Sequence, residues 1–336
     1  MCIRDRAYEI RNLGVGKLFN ASGFGSFSGT GEIKGKGFSV DELHASYYLH
    51  LDTLDYKAYR YSNTQITGTL EPGAYELQLV ALDPALKADL QLKLDLGDSA
   101  YRAEASGIFQ AQLDELHLHR EALNLKASIE AQMKGSGKGL ESELVCRDLS
   151  LGTPVKVALV QDFKAVFKTD SMQSIFQADA DFFHARMVLR RPLEELDSLG
   201  RGYQHYFESF RNASHMTAAN RVSFLPEIHT SLSLQDHDLF DVLLGDSSLN
   251  FGSLEGSISR QANQNSLHAS IKGQQLSYKS VEAEHLMAEL TDSAGTIRMD
   301  LRADSASVCA GSEQRFVLQA SSSGQELLAG IAVDDY

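Results

Sequence analysis

The sequence predicts an all-β protein: a long, many-stranded antiparallel sheet. Three observations point to it. Apolar and polar residues alternate strictly in stretch after stretch, the period of a strand with one dry and one wet face. Short turn signals such as Glu71-Pro72-Gly73, Gly97-Asp98 and Ser293-Ala294-Gly295 separate those stretches, a spacing that suits hairpins and meanders rather than helical crossovers. Only one segment, beginning at Pro192, carries helical spacing instead.

The first element is SGFGSFSGTGEIKGKGF, residues 22–38, with glycines at 23, 25, 29, 31, 35 and 37. All are odd and are interleaved with Phe27 and Ile33, so an extended strand puts them on one face. Spacing excludes a phosphate cradle. A Walker loop ending at Gly35-Lys36 needs a glycine and a hydroxyl residue where Thr30 and Gly37 stand, and a dinucleotide fingerprint from Gly29 and Gly31 needs a glycine in place of Lys34. The stretch reads as a strand or hairpin whose inner face is too crowded for side chains.

Next, LHASYYLHL places Leu43, Ala45, Tyr47, Leu49 and Leu51 on one face, and YELQLVA does the same with Tyr75, Leu77, Leu79 and Ala81. LKADLQLKLDL sets Leu86, Ala88, Leu90, Leu92, Leu94 and Leu96 against Lys87, Asp89, Gln91, Lys93 and Asp95. LNLKASIEAQM repeats the pattern with Leu123, Leu125, Ala127, Ile129, Ala131 and Met133, and it returns after residue 225 in IHTSLSL, LHASI, IRMDLRA and FVLQA. A one-residue slip would invert both faces, so Leu86, Leu90, Leu92, Leu94, Leu125, Ile129 and Met133 are expected to line one continuous interior.

After Pro192, residues Leu193, Leu196, Leu199, Tyr203, Tyr206, Phe207 and Phe210 fall mostly three or four apart, and Glu194 and Glu195 suit the positive end of a helix. An amphipathic helix near 192–211 is expected, its apolar stripe packed on the sheet. The chain divides into a first sheet segment, 7–188, a helical insertion, 189–217, and a second sheet segment, 218–336. Residues 1–6, MCIRDR, read as a non-native leader, and the whole as an internal piece of a longer chain.

Composition narrows the function classes. With 336 residues, 43% of them hydrophobic, the chain can bury a large core. A net charge of −14 and the lack of any basic cluster exclude nucleic acid, which is held by cations that displace its counterions. Cys2, Cys146 and Cys309 show neither CxxC nor metal spacing. No run of about 18 apolar residues could span a bilayer.

Catalytic constellations are scarce, and no enzyme activity, cofactor or metal is expected. His117 and His119 in LHLH share a strand face without a third ligand nearby and read as solvated. Asp179 and Asp181 read as the wet face of a strand whose dry face is Phe176, Ala178, Ala180 and Phe182, which leaves His184 without a metal-binding set. Function is therefore sought in the architecture. So much apolar sheet face must be covered by a second sheet, by closure into a solenoid, or by a ligand in a partly open groove.

The succession of elements resembles a known family. The Gly-rich strand pair followed by LHASYYLHLDTLDYKAYRYSNTQITGTLEPGAYELQLVALDPALKADLQLKLDL looks like the repeat of the TamB group in the AsmA-like superfamily, in its versions from Bacteroidota. Within it, LDTLDYKAYRYSNTQITGTL resembles the group's unit of an aromatic strand and polar turn leading to Gly, and ALDPALKADLQLKLDL its following Asp-Pro strand. FLPEIHTSLSLQDHDLFDVLLGDSSLNFGSLEGSISRQANQNSLHASIKGQQLSYKSVEAEHLMAELTD is similar again, so the likeness covers most of 7–310. It implies an elongated sheet curled into an apolar trough, anchored to the inner membrane by an N-terminal helix. Such a protein crosses the periplasm, conducts phospholipids to the outer membrane and meets a BamA/TamA-like barrel there. The anchor and the partner-binding domain are not among these residues.

Elementary physics agrees with that implication. Exposing a lipid tail costs roughly 0.8 kcal/mol per methylene, so about sixteen carbons need on the order of 12 kcal/mol of shelter. Twenty strands at roughly 4.8 Å would make a trough of about 100 Å. The expected lining for phospholipid acyl chains is Leu43, Tyr47, Leu49, Leu77, Leu79, Leu86, Leu90, Leu92, Leu94, Leu125, Ile129 and Met133. The alternative is a structural or adhesive β-solenoid of a cell-surface protein, with the same alternation filling a closed core.

Overall fold

An alternating strand carries unpaired backbone groups along both edges, and the nearest partner for each edge is the neighbouring strand in the chain, reached through a tight turn. The computed structural model follows that rule. It describes residues 2–14, 16, 23–37, 42–137, 139–192, 227–244, 248–261, 266–279, 281–293, 296–308, 314–323 and 326–335. The chain forms two compact units, Met1–Lys164 and Ala165–Tyr336, each an antiparallel sheet. The helix expected near 192–211 lies, from residue 193 onward, outside the described residues, as does most of the 189–217 insertion.

The first unit comprises β1 (Cys2–Gly14), β2 (Phe24–Lys36), β3 (His44–Tyr56), β4 (Tyr59–Glu71), β5 (Ala74–Leu82), β6 (Leu86–Leu96), β7 (Ala100–Gln112), β8 (Asn124–Ser136), β9 (Gly139–Gly152) and the start of β10 (Val157–Asp170). Each strand from β1 to β9 is antiparallel to the next, and β10 pairs with β9, so the topology is a plain meander. Among the described residues β1 pairs only with β2, which leaves the sheet open rather than closed into a barrel.

The Gly-rich stretch is β2, and its glycine face is crowded as expected. A Cβ on Gly31 would fall on the ring of Tyr8 directly opposite, and one on Gly29 or Gly35 would meet the β3 backbone. The same arrangement recurs where Tyr47 lies over Gly68 and Tyr101 over Gly135, each ring covering its cross-strand partner. A ring lying down on a neighbouring glycine shields backbone that glycine leaves bare.

Several strands bend at one level. Asn12, Asn63 and Asp148 have φ of 51°, 47° and 50°, the left-handed region that Asn and Asp tolerate best. Register slips accompany the bends: between Ile10 and Leu13 in β1, between Leu51 and Thr53 of β3 against Gly29 and Ser28 of β2, and between Lys126 and Ser128 of β8 against β9. These are β-bulges, each of which bends its strand and shifts the phase of alternation. Beyond the bulge the end of β4 turns so that Tyr59 and Tyr61 pack on the buried trio Ala85, Ala111 and Leu116.

Residues 113–123 complete that corner as a turn, held by Leu113 N donating to Leu123 O at 2.7 Å and Leu116 N to Gln112 O at 3.1 Å. This corrects the reading of LHLH as a strand: His117 has φ 57°, Leu116 is buried, and Leu118 and both histidines are exposed. Burying Leu116 and Leu123 over the strand ends wins here over alternation.

The second unit begins with the end of β10 and continues with β11 (Ser174–Ala180), β12 (Phe183–Leu189), β13 (Ile228–Gln235), a short helix α1 (Asp238–Leu244), β14 (Leu249–Asn250), β15 (Ser253–Gln261) and β16 (Ser266–Gln274). Then come β17 (Leu276–Tyr278), β18 (Val281–Glu284), β19 (Leu286–Ser293), β20 (Thr296–Val308), β21 (Gln314–Ser323) and β22 (Glu326–Asp335). The main sheet order is β11-β12-β13-β15-β16-β19-β20-β21-β22, with β14-β17-β18 as a side branch that joins β20. The branch arises because neighbouring strands kink in step: β16 and β17 are split by Gln275, φ 50°, and β18 and β19 by His285, φ 50°. Beside one end of this sheet, Phe182 stacks on His237 at 4.1 Å and Phe240 of α1 packs on Phe251 at 5.3 Å.

Candidate functional site

Register decides which side chains share a face. In the first unit one row across the sheet reads Ile33, Tyr47, Gly68, Leu77, Leu92, Ala105, Ala131, Leu144. The next reads Tyr8, Gly31, Leu49, Ile66, Leu79, Leu90, Gly107, Ile129, Cys146. Flanking rows bring in Leu94 with Met133, through Ala103, and Leu86 with Leu125, through Ala111. Eleven of the twelve expected lining residues thus stand on one face of one sheet; Leu43 precedes β3 and is half-buried.

Exposure across that face is graded. Toward the bulge side it is shut, with Ala81 at 1%, Ala127 at 2% and Ala111 at 5%. Toward the other side large apolar groups stay open: Leu92 keeps 44% of its surface and Leu96 45%. Small residues fill the closed side and leucines the open one, so the face offers an uncovered apolar strip beside a sealed corner. The burial of Cys146 on this face pushes its thiol up.

The opposite face is ionic. Lys93 pairs with Glu76 across β6 and β5 at 2.9 Å, Lys164 with Glu143 across β10 and β9 at 2.8 Å, and Arg147 bridges Glu130 across β9 and β8. These pairs are solvated and contribute little to stability. Their effect is to keep one face wet and so to fix the register that gathers the leucines on the other.

Sequence reasoning missed the residue that anchors the closed corner. Asp83 is fully buried and accepts from Tyr59 Oη at 2.5 Å, Ser62 N at 2.8 Å, Ser62 Oγ at 2.9 Å and Ala85 N at 2.9 Å. Burial alone would raise its pKa, but the hydrogen bonds from Tyr59, Ala85 and Ser62 outweigh it and hold the carboxyl below its ordinary value. Burial, reinforced by that carboxylate, pushes Tyr59 up to about 12. The available signal was the polar Asp-Pro pair between two apolar strands, a turn whose side chain can bind its own backbone.

Elsewhere, β11 ends at Ala180 and Asp181 sits in the turn to β12, a correction to its expected place on the strand. Asp179 faces His184 across β11 and β12 and is hydrogen-bonded to its Nδ1, while Gln177 Nε2 donates to Asp179 at 2.9 Å. Among the described residues no group of three His, Cys, Asp or Glu is placed to hold a metal ion, and no helix is long and apolar enough to cross a membrane. No family model, curated protein or solved structure matches this chain.

Proposed function

We propose that the chain is part of a bridge across the periplasm that conducts phospholipids between inner and outer membranes, their acyl chains passing along the apolar face of the sheet. One observation carries this reading: a row-by-row continuous apolar face on which Leu92 and Leu96 remain nearly half exposed. A core filled by its own side chains would leave no such strip, which favours the open groove over the closed β-solenoid of an adhesive protein. The charged opposite face supports it too, since it keeps a long apolar surface in solution. Chemistry is not part of the proposal; the face shelters tails and headgroups stay in water. Attachment to the inner membrane and docking to a BamA/TamA-like barrel are carried by the family resemblance alone.

Photo-crosslinking with a phospholipid bearing a diazirine in its tail tests the reading. Leu92→Asp places a charge where a tail must lie and should reduce labelling about tenfold or more. Because Leu92 is already half exposed, the variant should fold normally. The control is Gln91→Asp, on the wet face. Equal labelling of both variants would defeat the conduit; loss of folded protein on Leu92→Asp would favour the closed core.

A further inference from the structure

The second unit carries a cation where the sheet is otherwise dry. One row at the end of its apolar face reads Ser174, Leu189, Ile228, Arg260, Leu267, Asp292, and all six are buried. Arg260 retains 7% of its surface, and its Nε meets no acceptor among the described residues. A guanidinium has five donors and cannot shed its charge, so leaving its buried Nε–H without an acceptor is unfavourable unless a ligand supplies one.

The surroundings define that ligand. Glu227 lies within electrostatic range but is engaged by Arg190, at 3.4 Å from its Nε, and Arg191 adds further positive charge. Asp292 stands two strands away, with Leu267 between, a Cα separation of roughly 10 Å. An acidic side chain on the same row makes the lower-charged oxyanion the better fit. Leu189, Ile228 and Leu267 present hydrocarbon on the same row.

We propose that Arg260 is the anchor of a binding site for a singly charged oxyanion of the phosphodiester type, gripped by the guanidinium fork and flanked by apolar surface. The site is distinct from the leucine strip of the first unit and does not rest on the conduit reading. A phosphodiester reaches it as a lipid headgroup or as a free molecule, and its flanking hydrocarbon suits either a tail or an ester alkyl group.

Calorimetric titration of the 336-residue chain with three probes tests this. The probes are diethyl phosphate, short-chain dihexanoyl phosphatidylglycerol and, lacking phosphate, dihexanoylglycerol. Both phosphodiesters should bind the native chain. Arg260→Gln should weaken both about tenfold or more and leave dihexanoylglycerol unchanged. Arg260→Lys, which keeps the charge and loses the fork, should fall between them. Asp292→Asn should tighten both. A lipid source shows as tighter binding of phosphatidylglycerol than of diethyl phosphate, a free source as equal binding. Should Arg260 instead serve as a partner for Asp292, Arg260→Met would lower the thermal midpoint and phosphodiesters would not bind; either result overturns the site. The site itself predicts a raised midpoint, because a buried charge with an unsatisfied donor has been removed. Unchanged phosphodiester affinity in Arg260→Gln overturns it as well, whereas failure of dihexanoylglycerol alone bears only on the conduit.

Discussion

Asp83 joins β4 to the turn between β5 and β6 through four hydrogen bonds, and its environment makes stability depend on pH in a definite direction. Its folded pKa lies below the unfolded one, so its contribution is complete above the ordinary aspartate value of about 3.9 and is lost as pH falls through the folded value. Asp83→Ala, which strands the Tyr59, Ser62 and Ala85 donors, should cost roughly 2 to 3 kcal/mol in urea unfolding at pH 7. That difference should shrink in acid. Tyr59 has the opposite sense: its contribution is present below pH 10 and fades as pH rises toward about 12, so alkaline unfolding in that window should be blunted in Tyr59→Phe. The glycines beneath tyrosine rings supply a third expectation. Gly31→Ala and Gly68→Ala force a methyl into Tyr8 and Tyr47 and should each cost about 1 to 3 kcal/mol, whereas Gly137, with open space around it, should accept alanine.

At the scale of elements, the bulges merit the closest test. Asn63→Gly relieves a left-handed residue and should be neutral within about 0.5 kcal/mol, while Asn63→Val puts a β-branched side chain there and should cost about 1 to 2 kcal/mol by urea denaturation. The corner turn offers a companion measurement, Leu116→Ala, expected to lose about 2 to 4 kcal/mol because the site is sealed by Tyr59, Tyr61 and Leu113. These elements also mark where the sequence could and could not be read. Period-two alternation made β3, β5, β6 and β8 and the common face of their leucines legible, because cross-strand register copies the pattern of one strand onto the next. The bulges were hidden in the places where that phase changes, as in β9, where Leu144 and Cys146 share a face with Leu151. An odd step of five between them is a direct signal of one inserted residue. LHLH misled because alternation in four residues cannot distinguish a strand from a turn, here one that buries Leu116 and leaves Leu118 exposed. The helix α1, seven residues long, offers too few turns for helical spacing to show. Arg260 and Asp292 carried no sequence signal, since their burial depends on a row assembled from strands far apart in the chain.

For the molecule as a whole, connectivity matters more than any one contact. Each strand of the first unit is finished by its immediate successor, so its stability is close to a sum of neighbouring terms. Hydrogen exchange should accordingly show graded protection that declines along the ladder, and a single global opening with uniform protection across β2 to β8 would contradict that expectation. The same connectivity governs how the chain is made. Contacts close in sequence keep the loop-closure penalty small at every step and favour rapid formation. A strand emerging from a narrow exit finds its partner already in place one hairpin behind, so the sheet can lengthen at the pace of delivery. No long apolar stretch then has to wait, bare, for a partner not yet delivered.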